Sequence, residues 1–180
     1  MSKNSGKTKT LVITAAMAAV MAVLSPMAIP IGPVPLTLGV FAVCLAGVLL
    51  PVWQAVASLS VYLLLGAVGL PVFSGFRGGP QVLLGPTGGY LFGYYILVLG
   101  LALAVAHTDK LHWQGLAALL SLVLFYLAGT LWYCAVTDNS FVSGLAVCVV
   151  PFIVPDILKM AAAIALGKVL KLRMQKAGLR

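Results

Sequence analysis

Phe152-Ile153-Val154-Pro155-Asp156-Ile157-Leu158-Lys159-Met160-Ala161-Ala162-Ala163-Ile164-Ala165-Leu166-Gly167-Lys168-Val169-Leu170 is the last apolar stretch of the chain, and it carries an acid and a base three residues apart. Residues at i and i+3 share a helix face, so Asp156 and Lys159 project the same way about one turn apart. Moving either charge alone into hydrocarbon costs at least about 2.5–3.5 kcal/mol on insertion scales. The pair must therefore face each other, protein, water or a ligand. An ion pair that only fixes helix packing is one reading. A ligand site is the other, and it is the default for ionisable residues inside a membrane.

That the surrounding medium is a bilayer follows from composition. Hydrophobic residues make up 62% of the chain and charged ones 8%, with a mean hydropathy of +1.14. A spanning helix needs about 20 apolar residues, so 180 residues with short connections fit six spans and hardly seven. The expectation is an all-α integral membrane protein forming one transmembrane domain over 1–180. Apolar runs, broken by Pro, Gly and charge, place its helices at about 9–29, 37–50, 51–68, 87–106, 114–136 and 143–172. The run Leu11–Ile29 follows Lys3, Lys7 and Lys9 as a signal peptide would, but its length and continuation into Pro30-Ile31-Gly32-Pro33 make it a retained first helix. Pro51 suits a helix start, where the hydrogen bond it cannot make is not required. Pro151 and Pro155 are expected to kink or open the last helix beside Asp156.

The basic residues orient the bundle. With both termini cytoplasmic, nine of the eleven lie inside: Lys3, Lys7, Lys9, Lys110, Lys168, Lys171, Arg173, Lys176 and Arg180. Only Arg77 is then outside, and Lys159 lies within the membrane. The net charge of +8 is thus a topology signal. Attraction to anionic lipid headgroups accounts for the basic ends without nucleic acid.

Several chemistries are disfavoured. Cys44, Cys134 and Cys148 sit in apolar runs at spacings matching no metal motif, and they read as small core residues. His107 and His112 have no acidic or cysteine partner at ligand spacing, so no metal and no cofactor are expected. Gly6-Lys7-Thr8 imitates the end of a phosphate-binding loop without its upstream glycine or strand. The acids number three, Asp109, Asp138 and Asp156, too few for a relay of carboxylates. No acid pair or Ser–His arrangement suggests an enzyme.

The segment 69–90 combines glycines, aromatics and one arginine and ends where a helix begins. Thr87 is placed to cap that helix, whose positive dipole end would welcome an anion. Gly85, Gly89 and Gly93, four apart, would let a neighbouring helix approach closely.

Four motifs carry a family resemblance: GLPVFSGFRGG at 69–79, LLGPTGGYLFGY at 83–94, PIGPVPLTL at 30–38 and PFIVPDILK at 151–159. Together they resemble the BioY family, the biotin-binding S components of energy-coupling factor transporters, over roughly residues 10–170. Two positions depart from the family pattern. Pro155 stands one place later than the family's proline before the aspartate, and Gly39 stands where many members have glutamine. The resemblance implies a six-helix S-component fold in the cell membrane. It also implies uptake of biotin from the outer side, driven by a transmembrane coupling subunit and two cytoplasmic ATPases.

Biotin presents two ureido N–H donors, a carbonyl, an apolar ring and a carboxylate tail. Asp156 can accept from the ureido group and Lys159 can donate to a ligand oxygen. Arg77 or the helix start at Thr87 can hold the carboxylate, Phe73, Phe76 and Tyr90 can close over the rings, and Gln81 is a further contact. On the first helix, Ala15 and Ala19, with Ala18 and Ala22, form small-residue pairs four apart that suit close helix contact. The resemblance makes this stripe the docking face for the coupling subunit, and packing within the chain is the alternative. A biotin transporter working alone as an oligomer, without a coupling subunit, is the competing functional reading.

Overall fold

The computed structural model describes residues 2–177, with side chains from Gly6 onward. Arg180 and the side chain of Lys3, counted above, lie outside the described residues. The described chain is mostly helical: α1 Ser2–Leu24, α2 Gly39–Leu49, α3 Val52–Ala67, α4 Pro80–Leu84, α5 Gly88–His107, α6 Leu111–Thr137, α7 Phe141–Cys148 and α8 Ile153–Lys176. Between α1 and α2 lies a small antiparallel hairpin, β1 Ala28–Ile29 and β2 Leu36–Thr37, with Ala28 opposite Thr37 and Ile29 opposite Leu36.

Prolines account for the differences from the expected helices. The first helix stops at Leu24, not at residue 29, because Pro26 lacks an N–H and disfavours helical backbone at Ser25. The freed segment becomes β1. The expected helix over 143–172 is two helices, α7 and α8, meeting at 54°. Pro151 sits in the break, where the amides of Phe152 and Ile153 turn back to the carbonyl of Val149. Pro155 then falls in the first turn of α8, where a missing donor costs nothing. In the 69–86 loop, Pro80 starts the single-turn helix α4.

Among the described residues, the Gly6–Leu24 part of α1, α5 and α6 are each long and apolar enough to cross a membrane. The bent pair α7 and α8 makes a fourth crossing if it counts as one span, and α2 and α3 are shorter apolar helices. The outward face of α6 leaves Leu120, Val123, Leu124 and Leu131 more than half exposed. Such a face is at home in hydrocarbon.

The short helix α2 is the centre of the bundle. Every residue in it except Phe41 is buried, and it packs against α1, α3, α5 and α8. Its 11 residues rise only about 16 Å, so α2 begins well inside the bundle and leaves room beyond its N-terminus. The α5–α6 pair forms the largest helix contact. Gly89 and Gly93 make it possible: a Cβ at Gly89 would run into Trp132, and one at Gly93 would stand 3.0 Å from the Phe125 ring.

Candidate functional site

The room beyond α2 is a cavity of about 390 Å³, within the range of small-molecule sites. Six parts of the chain enclose it, one of them the start of α2 through Val40. The hairpin tip contributes Pro30, Gly32 and Pro33, and the 69–86 loop contributes Phe73, Ser74 and Arg77. Thr87, Tyr90 and Tyr94 come from the start of α5, Phe125 from α6, and Cys148, Phe152, Asp156 and Lys159 from around the α7–α8 break.

The break decides the electrostatics. Because α8 starts only at Ile153, Asp156 lies in its first turn, where the positive end of the helix dipole favours an anion. Asp156 is 3% exposed, and both of its oxygens are engaged. Lys159 donates from Nζ to Oδ1 at 2.8 Å, and Tyr126 donates from Oη to Oδ2 at 2.8 Å. A carboxylate offers about four lone-pair sites and an ammonium three protons. After these bonds Asp156 can still accept and Lys159 can still donate. Both line the cavity, so the pair can serve a guest while satisfying each other.

Aromatic side chains form the walls. Phe73 is buried, packs edge-on to Tyr62 at 5.6 Å, and its ring fills the space over Gly66. This pins the long loop to α3. Two backbone bonds between Phe73 and Arg77 close the loop on itself, and the Gly75 amide donates to the Pro26 carbonyl at the end of α1 at 3.1 Å. Tyr90 bonds through its hydroxyl to Thr130 Oγ1 at 3.0 Å, locking the α5 start to α6. Tyr94 stacks on Phe125 at 5.7 Å, nearly parallel.

Of the residues named from sequence, Asp156, Lys159, Arg77, Thr87, Tyr90 and Phe73 line the cavity. Arg77 is exposed at its rim. Phe76 and Gln81 are outside the lining. Phe76 occupies the left-handed turn of the loop with φ 57° and is 71% exposed, and Gln81 donates to the Gly78 carbonyl at 2.8 Å, bracing its own loop. Thr87 holds the N-cap position of α5 without a side-chain cap bond; its carbonyl accepts from Tyr90 and Leu91. Cys148, expected only as filler, is buried and reaches the cavity.

Sequence reasoning missed Tyr126 and Tyr94. Nothing local ties Tyr126 to an acid thirty positions away. Tyr94 was within reach, because it is four residues after Tyr90 and shares its helix face.

The stripe on α1 divides. Ala15 and Ala19 are exposed, whereas Ala18 is buried and Ala22 half-buried.

Comparison with known proteins agrees with this architecture. The family model described as BioY family matches residues 1–176. A probable biotin transporter BioY of Pyrococcus horikoshii is 38% identical over 164 residues, covering 90% of this chain and 96% of that protein. The biotin transporter BioY of Thermotoga maritima is 37% identical over 147 residues, covering 79% and 84%. The crystal structure of an S-component for biotin from an ECF-type ABC transporter superposes with a TM-score of 0.85 at 28% identity, covering 95% of this chain and 94% of that one. These relatives are transporters and substrate-binding components, not enzymes. With matches of that extent, the chain belongs to the BioY family.

Proposed function

We propose that this protein is the membrane subunit that captures biotin from the outer face of the cell membrane for an energy-coupling factor transporter. The observation that carries the reading is the Asp156–Lys159 pair, held at 2.8 Å inside a cavity of about 390 Å³. The ureido ring matches it: an N–H can donate to Asp156, and Lys159 can donate to a ligand oxygen. The apolar bicycle suits walls made of Phe73, Tyr90, Phe125 and Phe152. Arg77 at the rim is the natural partner for the carboxylate tail, which places the ring inward and the tail outward. Six spans with both termini cytoplasmic put the hairpin and the 69–86 loop on the outer side, by the distribution of basic residues. The names of the relatives support the ligand and the partner class.

A biotin titration of the purified protein tests this directly, with Asp156→Ala and Asp156→Asn as variants. Both should weaken binding by about a hundredfold, the scale of a lost hydrogen bond to a charged group in a desolvated site, while the protein still inserts in the membrane. Unchanged affinity in both variants would remove the reading. The energy source is tested separately, by measuring uptake in cells with and without the coupling subunit and its ATPases. Full uptake without them would make the protein a solitary oligomeric transporter.

A further inference from the structure

Gly39 opens α2 beside the cavity, and the space its side chain would take is already filled. A Cβ there would collide with the Tyr94 hydroxyl, would stand 3.1 Å from the Tyr94 ring carbon that bears it, and would stand 3.1 Å from Thr37 Oγ1. The phenol of Tyr94 therefore occupies the space that a residue-39 side chain would take. Tyr94 is 6% exposed, lines the cavity, and lies close enough to Asp156 to interact with its charge. Thr37 lies beside it and accepts the Gly39 amide proton at Oγ1 at 3.0 Å. Thr37 Oγ1 and the Tyr94 hydroxyl thus crowd the same side of Gly39. The Tyr94 hydroxyl has its own proton to give, and the open side is the cavity.

We propose that Tyr94 is a specificity-determining donor, giving its hydroxyl proton to the acceptor oxygen of the ligand ring, and that Gly39 is the opening that admits it. Resting on the biotin reading, this assigns complementary roles at the polar end of the site. Asp156 accepts from the ring's N–H, and Tyr94 donates to its carbonyl.

Biotin and 2-thiobiotin, in which sulfur replaces the ureido oxygen, are titrated into the wild type, Tyr94→Phe, Gly39→Ala and the double variant. Sulfur is a weak acceptor, so a hydroxyl that reads the oxygen must distinguish the two ligands. Tyr94→Phe keeps the ring stacked on Phe125. It should lose about tenfold in biotin affinity, the scale of one hydrogen bond in a desolvated site, and much less for the thio analogue. Gly39→Ala should reproduce that loss by displacing the phenol, and it should cost little more when added to Tyr94→Phe. Three outcomes overturn the proposal: wild-type biotin affinity in Tyr94→Phe, equal loss of both ligands, or fully additive losses at 39 and 94. A wild-type protein that binds neither ligand overturns the biotin reading itself and takes this assignment with it.

Discussion

Asp156 is held by two partners that come from different parts of the chain, Lys159 one turn along its own helix and Tyr126 from α6. The local partner was legible, because i and i+3 spacing fixes the shared face whatever the rest of the fold does. The distant one was not, since a tyrosine in an apolar run has no feature pointing across the bundle. Yet Tyr126 bonds a buried carboxylate, and hydrogen bonds to charged groups contribute about 1.5–3 kcal/mol. Tyr126→Phe should therefore lower the thermal midpoint of the purified protein and weaken biotin binding by about tenfold or more. A thermal unfolding series with and without biotin checks both, and a variant unchanged in each would reduce the Tyr126 contact to incidental packing.

At the scale of elements, proline positions were the most readable part of the sequence. They anticipated the opening beside Asp156, although one bent helix was expected where two stand at 54°. The hairpin was missed because its strands are two residues each, too short for any alternation to register. Phe76 and Gln81 stand outside the lining for a related reason: composition names the loop, but its backbone path, with left-handed residues at Gly75, Phe76 and Gly79, is not written in composition. On α1 the two alanine pairs have different environments, and the difference is testable. Ala15 and Ala19 are exposed and free for an external helix, whereas Ala18 already packs within the chain. Replacing Ala15 and Ala19 with leucine should leave biotin affinity within about twofold, since surface changes rarely exceed ~0.5 kcal/mol, and should abolish uptake by the assembled transporter. Unimpaired uptake would place the docking face elsewhere.

The whole molecule is organised around α2, a helix of only 11 residues. Because α2 begins deep inside, the hairpin and the long loop can roof a chamber that a bundle of full-length helices would have filled. Composition already announced the membrane, and the count of basic residues predicts an orientation for the bundle. The run at 37–50 is already the shortest in the sequence; what composition could not convey was that this short helix would stand at the centre, since a buried apolar helix and a lipid-facing one use the same residues. Orientation is open to a direct check. Arg77→Cys in intact cells should react with a membrane-impermeant thiol reagent, and pre-bound biotin should slow that reaction. Cys44, Cys134 and Cys148 supply the background, measured in the parent protein. Labelling only after the cells are broken would invert the topology.

The bond from the Gly75 amide to the Pro26 carbonyl joins the roof of the chamber to the end of the first helix. That same helix bears the exposed Ala19 and Ala15 about two and three turns away. A partner that gripped the helix at those alanines would hold a lever arm. Tilting it would pull on the roof directly, through that bond and through the hairpin that follows it in the chain, without passing through the packed interior.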